Sequence, residues 1–198
     1  KWENWATTGD AAAANADYSA SMLVPYYGVN LDSADFIWLG IKSNPEMQAI
    51  GNDYWVNNGG KLLAELPVKT QQVINTWQRT VSETPDGTAG YVVYQDCTYG
   101  EDVTGEQHYD AYFAFAQAAK ELGDVAGRKL IWPTMGITPG WDYDYVQAVF
   151  TSSITDYGKN WTNFWSGKAQ EMPAWKALTD LGGEGEHQCS YSIVPVKS

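Results

Sequence analysis

Short runs of alternating apolar and polar residues punctuate the chain, and between them apolar residues recur at helical spacing. Gly90–Cys97 (GYVVYQDC), rich in β-branched and aromatic residues, predicts a strand. Thr104 followed three residues later by Gln107 is a capping-box pattern, and Tyr109, Tyr112, Phe113, Ala116 and Ala119 then keep one helical face to about Leu122. Gly123 ends that helix. Lys129–Ile137 and Tyr143–Ser152 predict two strands joined through the Pro139-Gly140 turn. Residues 154–180 predict helix broken near Gly167 and Pro173, and Gln188–Val196 predicts a last strand. The order is β-α-β-β-α-β, the split-βαβ pattern.

The same pattern occurs earlier in the chain. Met22-Leu23-Val24-Pro25 aligns with Leu130-Ile131-Trp132-Pro133, Gly28-Val29 with Gly136-Ile137, and Asp35-Phe36-Ile37 with Asp144-Tyr145-Val146. A repeat of this length sets the architecture. The first copy predicts a helix at Trp2–Thr8, strands at Met22–Val29 and Asp35–Lys42, a helix from Pro45 to about Glu65, and a strand at Val73–Val81. Its first strand is expected to precede Lys1. The expected organisation is a first half over residues 1–81, a polar linker over 82–89 (SETPDGTA), and a second half over 90–198. Alternation separates Tyr145, Gln147 and Val149 from Val146, Ala148 and Phe150, and Phe36 and Trp38 from Ile37, Leu39 and Ile41. The aliphatic faces are expected to meet the helices, and the Trp-, Tyr- and Gln-bearing faces the other sheet.

This duplicated βαββαβ order resembles the dimeric α/β-barrel superfamily in its fused form. The resemblance covers nearly all of the chain and includes no motif of one family. It implies an α+β fold of two ferredoxin-like halves whose antiparallel sheets pack as an α/β barrel, the first half lacking its first strand. The superfamily includes cofactor-free monooxygenases, isomerases, lyases and haem enzymes, and fold does not fix function. A haem branch needs an axial histidine; His108 and His187 are the two histidines, and neither falls on an inner-sheet position. No cofactor is called for.

Composition narrows the partners. A net charge of −12 opposes binding to nucleic acid and to anionic membranes. No stretch reaches the ~20 apolar residues of a membrane span. The GxGxxG, P-loop, HExxH and GxSxG patterns are absent. Ten Trp and 13 Tyr are many for this length, and Tyr26, Trp38, Trp77, Trp132 and Tyr145 fall on strands, where they can line a pocket for a planar ligand or fill the core. Arg79 and Gln147 are the polar strand residues to watch, Arg79 because a buried guanidinium needs an anionic partner.

His108 sits in the first turn of the capped helix beside Glu106 and Asp110, an exposed polar position or a general base. Cys97 ends the first strand and Cys189 begins the last, neighbours in a ferredoxin-like sheet. A disulfide, two buried thiols and a reactive thiol are all open there. A bridge would imply an extracellular or periplasmic address, free thiols a cytoplasmic one. Glu184, Glu186, His187 and Cys189 match no standard metal spacing and read as a loop, so no metal site is expected. Asp32, Asp35, Asp142 and Asp144 recur at the matching hairpins, where turn chemistry accounts for them. Asn160-Trp161-Thr162 matches a glycosylation acceptor. Two functions follow as expectations. One is a soluble protein that binds or transforms a small hydrophobic or aromatic molecule in an aromatic-lined pocket. The other is a self-assembling structural subunit, a homo-oligomer, with aromatic interfaces.

Overall fold

The computed structural model describes residues 1–28, 34–67, 72–137 and 139–196. It is an α+β fold in which all the strand registers described are antiparallel. Two compact units interleave along the chain. One takes the described residues of Lys1–Val24, Ala34–Gln72 and Val194–Ser198; the other takes those of Pro25–Ser33 and Val73–Ile193.

In the first unit, short helices α1 (Trp2–Ala6) and α2 (Gly9–Ala14) precede the hairpin of β1 (Ser19–Gly28, which runs on into the second unit's residues) and β2 (Ile37–Ile41). Asn44 then caps α3 (Pro45–Asn58) by accepting from Met47 N–H at 3.0 Å, and Pro45 starts the helix where its missing N–H costs nothing. α4 (Gly60–Glu65) follows. Lys42 is held by Asp17, its Nζ donating to a carboxylate oxygen at 2.9 Å, and the Ser43 hydroxyl donates to the same carboxylate at 2.6 Å.

The second unit holds β3 (Asn75–Ser82), β4 (Tyr91–Cys97), α5 (Gly105–Glu121), β5 (Gly127–Met135), β6 (Tyr145–Thr151), α6 (Ile154–Trp165), α7 (Pro173–Thr179) and β7 (Gly185–Val196), the last strand ending among the first unit's residues. Its strand order β7-β4-β6-β5 is the ferredoxin-like order, with β3 added antiparallel to β5. The repeat is visible in hairpin register. Leu23 pairs with Ile37 in β1–β2, and the aligned Ile131 pairs with Val146 in β5–β6.

Helix α5 organises this unit. Thr104 and Gln107 form the full capping box: the Gln107 N–H donates to Thr104 Oγ1 at 3.3 Å, and the Thr104 N–H donates to Gln107 Oε1 at 2.8 Å. The inward stripe of Tyr112, Phe115, Ala116 and Ala119 packs on Val81, Cys97, Leu130 and Tyr145. Each large side chain buried in this way contributes roughly 1.5–3 kcal/mol.

The covered face is the opposite of the one expected. Register partners share a face, so Cys97, Tyr145, Gln147, Leu130, Trp132, Arg79 and Trp77 lie together, and this is the face that meets α5. In the first unit Trp38 likewise meets a helix, its ring packing on Trp2 of α1 at 4.8 Å. Alternation separates two faces without saying which one a helix covers. The Tyr145 hydroxyl finds its partner on α5, at His108 Nε2, which an aliphatic side chain would not need.

The loop after α5 carries a buried ion pair. Arg128 Nη2 donates to Asp124 Oδ2 at 2.6 Å, and both side chains are largely enclosed. Asp124 also accepts from the Ala126 N–H at 2.7 Å and from Asn160 Nδ2 at 3.3 Å. Asn160 is therefore occupied within α6, its Oδ1 accepting from Val125 N–H at 3.2 Å, and is not presented as a glycosylation acceptor. Removing one member of a buried pair strands the other charge. Asp124→Ala is expected to lower unfolding free energy by about 3–5 kcal/mol in urea titrations, and Asp124→Asn, which keeps an acceptor, by less.

Candidate functional site

The α5 face of the second unit's sheet carries a polar group in an unusual state. His108 lies one turn into α5 and is 7% exposed, so the exposed position expected for it is corrected. Its Nε2 is 2.9 Å from the Tyr145 hydroxyl, and its Nδ1 is buried with no partner among the described residues. Buried polar atoms are nearly always satisfied, so such an atom needs a reason.

Tyr145 is the hub of the cluster. It stands opposite Cys97 in the β4–β6 register, and its hydroxyl is hydrogen-bonded to the Cys97 thiol as well as to His108. The Tyr99 ring stacks on the Tyr145 ring at 4.8 Å between centroids. Tyr99 is held in turn by two bonds. Its hydroxyl accepts from Trp132 Nε1 at 2.8 Å, and its backbone N–H donates to Asp144 Oδ2 at 2.7 Å. Tyr112, Phe115 and Leu130 close the interior.

Proton positions follow from the donors available. The Cys97 S–H points at the Gln95 carbonyl, 3.5 Å away. The histidine tautomer sets which of Tyr145 Oη and His108 Nε2 donates; with the Tyr145 O–H turned to sulfur, its oxygen accepts from Nε2–H of His108. Nδ1 is then a bare lone pair in an apolar surround. Burial holds His108 below the ordinary histidine range, so the ring is neutral. Burial also pushes the Cys97 thiol up to about 11, so it is a thiol and not a thiolate at neutral pH. The arrangement can accept a hydrogen bond at Nδ1, and it is built for neutral groups.

The other residues singled out in the sequence fall as follows. Arg79 is not free for an anionic ligand: its Nη1 donates to Glu106 at 2.7 Å, and its guanidinium lies 3.4 Å from the Tyr109 ring centroid. Trp77 is across from Trp132 on the edge strand and 53% exposed, and Gln147 is opposite Gln95 on the same face. Tyr26 packs on Tyr27 and Tyr91 elsewhere in this unit. Trp38 belongs to the first unit, where its Nε1 donates to the Tyr18 hydroxyl at 2.8 Å. Asp144 serves the Tyr99 loop, Asp35 is exposed, and Asp32 lies outside the described residues.

The cysteines do not bridge. Cys97 and Cys189 are both reduced, with no disulfide between them. Cys189 pairs with Tyr94, whose side chain is on the other face of β4 from Cys97, and Cys97 pairs with Gly185. The two strands are adjacent as expected, but register and face separate the two sulfurs.

A second, exposed cluster forms at the start of β7, where His187 takes a positive φ of 43°. The Tyr143 hydroxyl lies 2.6 Å from His187 Nδ1 and 3.5 Å from Glu186 Oε2. Asp96 lies near, its carboxyl raised by burial against the opposing pull of His187. Tyr143, Tyr99 and Asp96 escape sequence reasoning because nothing local distinguishes them.

A haem does not fit here. His108 is enclosed by the rings of Tyr99, Tyr112 and Tyr145, with no space beside its nitrogens for a porphyrin, and His187 is an exposed residue tied to Tyr143.

No family model matches the chain, and no curated protein matches it. Solved structures similar in fold include the following three. A candidate chlorite dismutase superposes with a TM-score of 0.49 at 12% identity, over 92% of this chain and 79% of that one. A haem-binding protein from Thermus thermophilus gives 0.43 at 10% identity, over 91% and 74%. An anthrone oxidase-like protein gives 0.40 at 12% identity, over 89% and 76%. At these scores and identities the likenesses bear on no residue of this chain.

Two outcomes test the site. A neutral buried histidine stabilises the fold fully above its unfolded value of ~6.5, and that contribution is lost as pH falls from there toward the lower folded value. His108→Gln should therefore show a smaller drop in melting temperature than wild type between pH 7.5 and pH 5.5, measured in parallel melts. Thiol titration should count two free thiols in the unfolded chain, with Cys97 reacting slowly in the folded one. A count of zero would mean a disulfide after all.

Proposed function

We propose that the chain binds a small planar molecule at the α5 site and holds it by a hydrogen bond to His108, as a pocket protein of the dimeric α/β-barrel kind. The observation that carries this is the buried, unpartnered Nδ1 of neutral His108 beside an aromatic stack. Leaving such an acceptor unpaired costs about 1–3 kcal/mol, which a ligand O–H or N–H donated to Nδ1 would recover. The ligand's ring would take the place of Tyr99 on Tyr145. Tyr99 is the one stack member carried by the loop between β4 and α5, and its ring is only half buried. Trp132 Nε1 would then be released from the Tyr99 hydroxyl to donate to the ligand's second polar group. The raised thiol favours a neutral phenol, indole or enol over a carboxylate or phosphate, since the burial that keeps Cys97 protonated would penalise an anion in the same place.

The measurement is a titration of histidine-labelled chain with phenol, indole and 2-naphthol, following the ring nitrogens of His108 by NMR. The Nδ1 resonance is expected to move and saturate. Tyr99→Ala should tighten binding by vacating the stacking position, and His108→Gln should weaken it about 5–10-fold, the worth of one neutral hydrogen bond. Should the His108 nitrogens stay unmoved by every probe, in both wild type and Tyr99→Ala, the reading fails.

A further inference from the structure

The α5 site already holds a phenol, and it is the protein's own. The Tyr99 ring lies on the Tyr145 ring at 4.8 Å with 23° between their planes, and it stands 5.6 Å from the His108 ring. Its hydroxyl oxygen accepts from Trp132 Nε1 at 2.8 Å. Burial raises that hydroxyl above the ordinary tyrosine range, so the phenol is neutral. Helix α5 leaves room for the oxygen. Gly105, its first residue, has no positive φ and so no backbone reason to be glycine, a poor helix former. A Cβ at Gly105 would lie 2.9 Å from the Tyr99 hydroxyl oxygen, too close to be accommodated without a shift. Stack, donor and seat together form a receptor for a hydroxylated ring.

Only the side chain of Tyr99 is lightly held. Its backbone N–H donates to Asp144, and Thr98 before it is bonded across to the loop between α7 and β7. The Thr98 N–H donates to the Glu184 carbonyl at 2.8 Å, and the Glu184 N–H donates to Thr98 Oγ1 at 3.2 Å. The two loops meet where neither has room for a side chain. A Cβ at Gly100 would run into the Leu181 carbonyl, and one at Gly183 into the Thr98 carbonyl. A segment pinned by such backbone contacts does not swing as a lid. The half-buried Tyr99 side chain has one hydrogen bond among the described residues, so it leaves by rotating about its own bonds.

We infer that Tyr99 is a built-in occupant of the ligand site, and that the ligand it yields to is an aromatic ring with two oxygens, one donating an O–H to His108 Nδ1 and one accepting from Trp132 Nε1 in place of the Tyr99 hydroxyl. This rests on the binding at His108 proposed above and narrows it. Trp132 Nε1 is a donor only. An indole, which offers one N–H, answers His108 but leaves the Trp132 N–H without an acceptor once Tyr99 has rotated out. A benzenediol answers both. The difference is one neutral hydrogen bond, about 5–10-fold in affinity.

The test is calorimetric titration of the wild-type and Tyr99→Ala chains with catechol, resorcinol, hydroquinone and indole. The three diols sample the three spacings of two hydroxyls on one ring. In Tyr99→Ala at least one diol should bind about 5–10-fold tighter than indole. In wild type every probe should bind more weakly, because it must displace the tyrosine. Trp132→Phe added to Tyr99→Ala should remove the diol's advantage and leave indole unchanged. Gly105→Ala on the same background should do likewise by crowding the second oxygen, while keeping the Trp132 ring. Indole binding as tightly as every diol overturns the inference and leaves binding at His108 standing. So does a diol preference that survives both substitutions with the folds intact by circular dichroism. If no probe binds the Tyr99→Ala chain, both readings fall.

Discussion

The second unit depends on one constraint: polar tips buried between α5 and the sheet need partners there, and among the described residues His108 Nδ1 alone lacks one. The face that meets α5 carries a thiol, tyrosines, a tryptophan and a histidine instead of an aliphatic layer. Burying their rings supplies the area that holds the helix down. Burying their hydroxyls, N–H groups and thiol costs free energy unless each is bonded. Cys97, Tyr145 and His108 answer with one directed chain of bonds, and Trp132, Tyr99 and Asp144 with another. The capping box at Thr104 then matters beyond its own bonds, because it fixes where α5 begins and so where His108 meets Tyr145.

Much of this architecture is legible in the sequence because it rests on local signals. The capping box, the glycine after α5, the broken helix over α6 and α7, and the strand periods each report on a few neighbouring residues. The repeat adds a long-range fact, since aligned residues of the two copies pair in the same hairpin register, Leu23 with Ile37 and Ile131 with Val146. What period cannot supply is the identity of the covering layer. Tyr145, Gln147 and Val149 alternate with Val146, Ala148 and Phe150 whichever side the helices take. The expectation that aliphatic residues face helices fails because α5 brings polar groups of its own. The expectation for the cysteines fails for a related reason: strand order predicts that β4 and β7 are neighbours, but not that Cys97 pairs with Gly185 and Cys189 with Tyr94.

The candidate site is only half legible. Trp132 and Tyr145 stand out as strand aromatics, and His108 as a histidine in a capped first turn. Nothing in the sequence joins them, because they come from β5, β6 and α5 and meet only through the register of the sheet. Arg79 shows the converse. It is notable as a strand arginine, yet Glu106 and Tyr109, both in the opening turns of α5, satisfy it. Tyr99 is invisible, since a tyrosine in a loop carries no signal until its ring is seen on Tyr145.

Where local rules and the fold agree, a residue is explained by stability alone. His108 Nδ1 is a place where they disagree: the capping box sets where α5 begins, and the sheet then encloses a ring nitrogen that nothing among the described residues answers. An unanswered buried nitrogen is destabilising within the monomer, and sequences keep such costs at sites that act on something else.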